Sequence, residues 1–192
     1  MTRQFLFLLG SARTGGNTEA LARRAAEHLP AGAGQRWLRL SELELPDFED
    51  LRHSAGRSFA EPVGAERLLL DATLEATDLV IVSPLYWYSV SAHTKLYLDY
   101  WAGWLRRGEL DFRKRMGGRT LWAVSALSEE DPSVADPMLG TLRLSARYMG
   151  MNWGGGLLGY ANRPGDITGN AQALAEAEKF FLGTPVRQEP AA

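Results

Sequence analysis

One stretch limits what this chain can fold into more than any other: an apolar run that passes into glycines and then into a helix former. Phe5, Leu6, Phe7, Leu8 and Leu9 lead into Gly10, Ser11, Ala12, Arg13, Thr14, Gly15, Gly16, Asn17 and Thr18, and helix-forming residues follow over 19–29. The order predicts a buried strand, a loop of small residues and a helix N-terminus. A helix start presents unpaired backbone N–H groups and a partial positive charge, and both suit an anion. Gly10, Gly15 and Gly16 let backbone approach a ligand closely and allow positive φ. Ser11, Arg13, Asn17 and Thr18 can all donate hydrogen bonds. The stretch therefore reads as a phosphate cradle. The plainer alternative is an ordinary strand-to-helix turn with Asn17 or Thr18 as N-cap. One Arg and three side-chain donors in so short a loop are more than a turn needs.

The rest of the chain repeats the alternation. Leu21, Ala22, Ala25, Ala26 and Leu29 fall on one stripe of the helix over 19–29. Pro30 to Gly34 ends it. Residues 37–40 predict a short strand near an edge, and 41–62 a polar excursion with one helical turn. A helix over 66–77 turns Leu69, Leu70, Thr73 and Leu74 inward. Leu79, Val80, Ile81 and Val82 form an unbroken apolar run, the mark of a strand buried on both faces in a parallel sheet. An aromatic loop (83–91) and a helix over 94–107 follow. Residues 113–119 read as a basic linker, 120–125 as a strand, 128–137 as an acidic loop and 138–149 as a helix. Residues 155–160 read as a strand, 161–166 as a loop and 169–182 as the last helix. Residues 1–183 make one domain, and 184–192 a loose tail.

Strands alternating with helices specify an α/β sandwich with a mainly parallel sheet and helices on both faces. Ligands of such sheets bind beyond the carboxyl ends of the strands, where strand order reverses. The loops there are the glycine loop, the aromatic loop, the acidic loop and 161–166, which are also the chemically richest segments.

Composition excludes several functions. The 192-residue chain suits one domain with a sizeable core. Its net charge of -2 points to neither nucleic acid nor an acidic membrane surface as a partner. There is no cysteine, which removes disulfides, thiolate metal sites, cysteine-ligated clusters and a Cys nucleophile. A cytoplasmic location follows most simply. Apolar runs are far shorter than the ~20 residues a membrane span needs. Met1-Thr2-Arg3 precedes too short an apolar run to act as a targeting signal.

The phosphate loop is not of the nucleotide-hydrolysing kind, because no Lys follows Gly15 or Gly16. The dinucleotide pattern fails as well, since Ala12 stands where its second glycine belongs. What remains fits a terminal phosphate monoester, a dianion with several acceptor oxygens. Pro84, Tyr86, Trp87 and Tyr88 then offer a rigid turn and three flat faces on which a planar heterocycle can stack. Tyr86 and Trp87 read as ligand contacts because they follow a buried strand. Tyr88, Tyr97, Trp101 and Trp104 read as core or subunit interface.

GSARTGGNT, SPLYWYSVSAHTKLYLDYW and ANRPGD together resemble the NAD(P)H-dependent FMN reductase group of flavodoxin-like proteins, over about residues 4–182. The resemblance implies a flavodoxin-like three-layer sandwich with a five-stranded parallel sheet in the order 2-1-3-4-5. It implies that Ser11, Arg13, Asn17 and Thr18, with the backbone at Gly16, hold the FMN phosphate. Pro84, Leu85, Tyr86 and Trp87 would line the isoalloxazine ring, and Ser125 would contribute from the fourth strand. Relatives with an iron–sulfur centre use cysteines that this chain lacks. The implied reaction moves a hydride from NAD(P)H through FMN to a small acceptor: a flavin, quinone, nitro or azo compound. Such chemistry needs no side-chain general base, which suits a chain with only His28, His53 and His93. His28 and His53 read as surface groups, and His93 as a helix-start residue near the aromatic loop. Glu129, Glu130 and Asp131 read as a solvated loop. Arg163 and Asp166 either lock their loop or meet a ligand phosphate. A one-electron carrier and a flavin-free interaction module are the alternatives, and the modest net charge argues against the carrier. The resemblance also implies a homodimer or homotetramer with the helix after the aromatic loop at its interface, and the aromatics from Tyr97 to Trp104 fit that.

Overall fold

The computed structural model describes residues 2–55 and 57–187. Five strands, β1 (Gln4–Leu9), β2 (Gly34–Arg39), β3 (Asp78–Val82), β4 (Thr120–Leu127) and β5 (Asn152–Tyr160), form one sheet in the order β2-β1-β3-β4-β5. All neighbouring pairs are parallel. The helices are α1 (Asn17–Ala26), α2 (Gly64–Glu75), α3 (Ala92–Leu105), α4 (Phe112–Met116), α5 (Asp136–Tyr148) and α6 (Ala171–Phe180). The chain thus has the flavodoxin-like architecture the sequence implies.

The period-2 geometry of β1 splits its apolar run between two cores. Phe5, Phe7 and Leu9 pack with Leu21, Ala22 and Ala25 of α1 and with Ala173 and Ala177 of α6. Leu6 and Leu8 pack on the other face with residues of α2, α3, α4 and α5. A strand buried on both faces must be apolar throughout, which is why β1 and β3 show no polar alternation. The edge strand β2 starts earlier than the sequence suggests, at Gly34, and is only partly buried. Trp37 anchors it by stacking on Phe7 with ring centroids 3.9 Å apart.

Two expectations need correction. The basic linker over 113–119 contains α4, because Phe112 and Met116, one helical turn apart, are buried while Arg113, Lys114 and Arg115 face outward. The aromatic surplus on α3, read as core or interface, belongs to the core of the single chain and so gives no sign of an interface. Tyr97 and Trp104 are fully buried and Trp101 nearly so. Their partners are internal: Trp104 meets Phe112 edge-on at 5.3 Å, and Trp101 meets Tyr97 at 5.7 Å. The start of the loose tail is pinned where Val186 and Trp153 exchange backbone hydrogen bonds of 2.8 and 2.9 Å. The rest of that tail, 188–192, lies outside the described residues.

Candidate functional site

Parallel strands bring the loops after β1, β3, β4 and β5 to one edge of the sheet. The order reverses between β1 and β3, so the first two of these loops flank the switch point. Gly10 closes β1 by donating its N–H to Val82 O at 2.9 Å. A side chain at Gly10 would collide with Ser91 and Thr94 at the start of α3. That glycine therefore serves helix-to-strand contact rather than approach to a ligand. Ser91 caps α3 by accepting from Thr94 N–H at 3.3 Å, and Ser83 Oγ accepts from Ser91 N–H at 2.9 Å. The bases of the glycine loop and the aromatic loop are thereby joined.

Within the glycine loop, Arg13 N–H donates to Ser11 Oγ at 3.0 Å. Gly15 takes a positive φ of 65°, and Gly16 is the N-cap of α1 with ordinary extended backbone. The first backbone bond inside α1 runs from Ala20 N–H to Gly16 O. Among the described residues, no protein acceptor takes the N–H groups of Gly16, Asn17 or Thr18. The Arg13 guanidinium is exposed and also has no protein partner there. A helix start with free donors beside a free cation is chemically an anion site.

The structure gives two expected donors other work. Asn17 Nδ2 donates to Arg163 O at 2.8 Å, and Asn17 Oδ1 accepts from Gly165 N–H at 2.9 Å. Both ends of its amide therefore grip the loop after β5, which leaves its backbone N–H for a ligand. Thr18 is buried, and its Oγ1 accepts from Ala126 N–H at 3.1 Å, tying α1 to β4. Arg163 N–H meets Asp166 Oδ2 at 2.6 Å, so the pair locks the loop through the Arg163 backbone. Asp131 likewise caps its own turn by accepting from Ser133, while Glu129 and Glu130 stay exposed. His93 is half-buried in the first turn of α3.

Two participants escape notice in the sequence. Glu19 is buried, and its carboxylate accepts from Gly15 N–H at 3.0 Å, from Arg23 at 2.7 Å and from Arg39 at 2.7 Å. Burial pushes its acidity down, but the hydrogen bonds from Arg39, Arg23 and Gly15 outweigh this and hold its pKa below the ordinary value. It stands three residues after the N-cap, but the N-cap is Gly16 and the bond goes to Gly15 N–H, so the Ser/Thr-x-x-Glu capping pattern that would flag it in the sequence is missing. Arg39 ends β2 beside Leu9, and only the strand order brings it there.

The aromatic loop is a tight turn. Tyr86 and Ser89 exchange backbone hydrogen bonds of 3.0 Å in both directions. The central residues Trp87 and Tyr88 have φ of 50° and 61°. Turns of this shape ordinarily use Asn-Gly, because side chains strain the left-handed region. Two bulky aromatics held there, with Trp87 94% exposed, are the kind of local strain that gathers at functional sites. Pro84 and Leu85 are half-buried beneath the turn. Ser125 lies fully buried on β4, and among the described residues its Oγ has no hydrogen-bond partner. A buried hydroxyl without a partner ordinarily costs stability, so a ligand polar group suits it. These features together match a phosphate-bearing planar ligand. Among the described residues, no cluster of His, Cys, Asp or Glu is arranged to hold a metal ion. A groove of about 910 Å³ between α3 and α5 lies toward the opposite end of both helices.

Comparison with known proteins gives the following. Residues 4–153 match the sequence pattern of a family described as NADPH-dependent FMN reductase. YwqN of Bacillus subtilis (strain 168), whose name describes an NAD(P)H-dependent FMN-containing oxidoreductase, is 30% identical over 174 residues. That alignment covers 90% of this chain and 93% of YwqN. The solved structure of a Trp repressor binding protein from Bacillus subtilis superposes with a TM-score of 0.72 at 24% identity, covering 92% of this chain and 97% of that one. An FMN-dependent NADH-azoreductase from Bacillus anthracis, solved with FMN, gives a TM-score of 0.61 at 13% identity, covering 95% and 98%. At such identities the two structures show the fold alone.

Proposed function

The chain belongs to the NADPH-dependent FMN reductase family, and from that premise we propose that the loops around Arg13, Trp87 and Ser125 hold FMN. Bound FMN supplies the transfer of a hydride from NAD(P)H to a small acceptor. The overall reaction consumes NAD(P)H, one proton and the acceptor, and yields NAD(P)⁺ and the acceptor reduced by two electrons.

The chain's own residues then have distinct tasks. The N–H groups of Gly16, Asn17 and Thr18 would donate to the phosphate oxygens, with Arg13 and the Ser11 hydroxyl completing the cradle. The Asn17 side chain keeps the 161–166 loop against the cradle, which would leave its backbone N–H for the phosphate. Thr18 fixes the distance from α1 to β4. Pro84, Leu85, Tyr86 and Trp87 would line the ring, and the unpartnered Ser125 hydroxyl would be the polar group offered to it from β4. The exposed ring of Trp87 offers a flat face on which an acceptor such as a quinone, free flavin, nitro compound or azo compound would stack. This reading is supported by the family's activity and by the exposed turn. No observation favours the electron-carrier alternative.

We further read the protein as cytoplasmic and as a homodimer or homotetramer. Among the described residues, no helix is long and apolar enough to cross a membrane.

The observation that carries the proposal is the free N–H groups at the start of α1 beside the unpartnered Arg13. Its test is FMN titration of apo-protein and of Arg13→Ala, followed by bleaching under NADPH. Wild type is expected to bind FMN and to bleach. Arg13→Ala should bind about tenfold or more weaker, the loss of one charge-assisted contact. Equal affinity in the two proteins would rule out this chemistry for the loop.

A further inference from the structure

We infer that Arg39, on an edge strand outside the loops of the site, is the positioning residue that aims the phosphate loop. The inference rests on the reading of residues 10–18 as a phosphate cradle. Arg39 ends β2 in register with Leu9, immediately beside the point where β1 becomes that loop. Its side chain is only 9% exposed. Nη1 donates to Arg13 O at 3.2 Å and to Ser11 O at 3.5 Å, while Nη2 donates to Glu19 Oε2 at 2.7 Å. The same carboxylate oxygen accepts Gly15 N–H at 3.0 Å. One buried ion pair therefore fixes three backbone groups of one short loop, two directly and one through Glu19.

The consequence follows from peptide geometry. In a planar trans peptide the C=O and the N–H of one unit point in opposite directions. Holding Ser11 O and Arg13 O against Arg39 turns the N–H groups of Ala12 and Thr14 away from it. Among the described residues, neither N–H has a protein acceptor. Arg39 thus keeps carbonyl oxygens, which would repel a dianion, facing away from the donors that would attract it. It also balances the Glu19 charge, which would otherwise lie uncompensated beneath an anion site. Arg23 alone cannot replace it, because Arg23 is bonded only to the other carboxylate oxygen. A guanidinium suits the task because its rigid fork reaches carbonyls and a carboxylate at once, whereas an ammonium is a single point.

Riboflavin separates positioning from general support, since it has the ring and ribityl chain of FMN and lacks the phosphate. Dissociation constants for FMN and riboflavin would be measured for wild type, Arg39→Met, Arg39→Lys, Glu19→Gln and Arg13→Ala. The expected result is a loss of about tenfold or more in FMN affinity in both Arg39 variants, with riboflavin affinity within about twofold of wild type. Glu19→Gln should move the same ratio in the same direction, and it carries the test if Arg39→Met does not fold. Parallel losses for both ligands would reduce Arg39 to structural support and overturn the inference. So would full recovery of the FMN preference in Arg39→Lys, which would assign the effect to charge alone. If Arg13→Ala lowers the preference while the Arg39 and Glu19 variants keep it, the inference fails and the cradle stands. If Arg13→Ala keeps the preference, the cradle fails and the inference with it.

Discussion

At the scale of single residues, most of the cradle is legible in the sequence and its support is not. Gly15, Gly16 and Arg13 can be read directly, because an anion site at a helix start uses free donors and a nearby cation whatever surrounds it. Asn17 shows the limit of such reading. A side-chain amide beside a phosphate loop reads as a ligand donor, yet here both ends of it hold the loop after β5. That loop is 144 to 148 residues away in sequence, so no local pattern records the contact. Glu19 makes a testable case. Its pKa in the folded protein lies below the ordinary value of 4.5, so its interactions contribute stability fully above the unfolded pKa. The contribution is lost as pH falls through the depressed folded value. Glu19→Gln should therefore be less stable than wild type at neutral pH, by about 1–3 kcal/mol for the weakened buried bonds. Denaturant titrations of both proteins from pH 7 downward should begin to converge as pH falls below the ordinary value of 4.5 and meet once it has passed the depressed folded value. A constant gap across that range would show that the Glu19 charge contributes nothing.

At the scale of elements, the turn after β3 pits stability against use. Its backbone shape requires positive φ at two consecutive positions, and the chain places Trp87 and Tyr88 there. The left-handed region costs such residues roughly 1–2 kcal/mol each relative to helical backbone. Neither ring recovers this by burial, since Trp87 is 94% and Tyr88 52% exposed. The double change Trp87→Asn with Tyr88→Gly fits the turn better and should raise the melting temperature by a few degrees, about the effect of 1 kcal/mol in a domain of this size. The same change removes the flat wall and should lower kcat/KM for a quinone acceptor about tenfold, the equivalent of one lost stacking contact. A variant with both a higher melting temperature and undiminished kcat/KM would show that the aromatics have no part in catalysis. The sequence shows that aromatics follow a buried strand. It does not show the strain, because a turn's φ values depend on the hydrogen bonds that close it between Tyr86 and Ser89.

At the scale of the whole molecule, the layered fold is legible because periodicity reports burial. Short apolar runs without polar alternation, too brief for helices, mark strands buried on both faces, and helical stripes between them dictate crossovers. Residues buried by distant partners are harder to assign. The aromatics of α3 read equally well as core or as interface, and Phe112 of α4 decides the matter by packing against Trp101 and Trp104. With those side chains internal, an oligomer that pairs through the helix after the aromatic loop would use what α3 and its neighbour α5 leave outside. Leu98 and Leu105 are half-buried there, and Leu144 and Tyr148 are 59% and 52% exposed along the 910 Å³ groove. Apolar side chains grouped around one groove tend to mark an interaction surface. The groove lies away from the loops of the site, so association through it would leave the cradle open. Leu144→Glu places a charge on that face without touching the core, and it should convert an oligomeric elution profile, measured with light scattering, into a monomeric one. FMN affinity should stay within about twofold, because Leu144 contacts none of the cradle residues. A wild-type protein that already elutes at the mass of one chain would exclude the oligomer. An oligomer unaffected by Leu144→Glu would place its interface on another face.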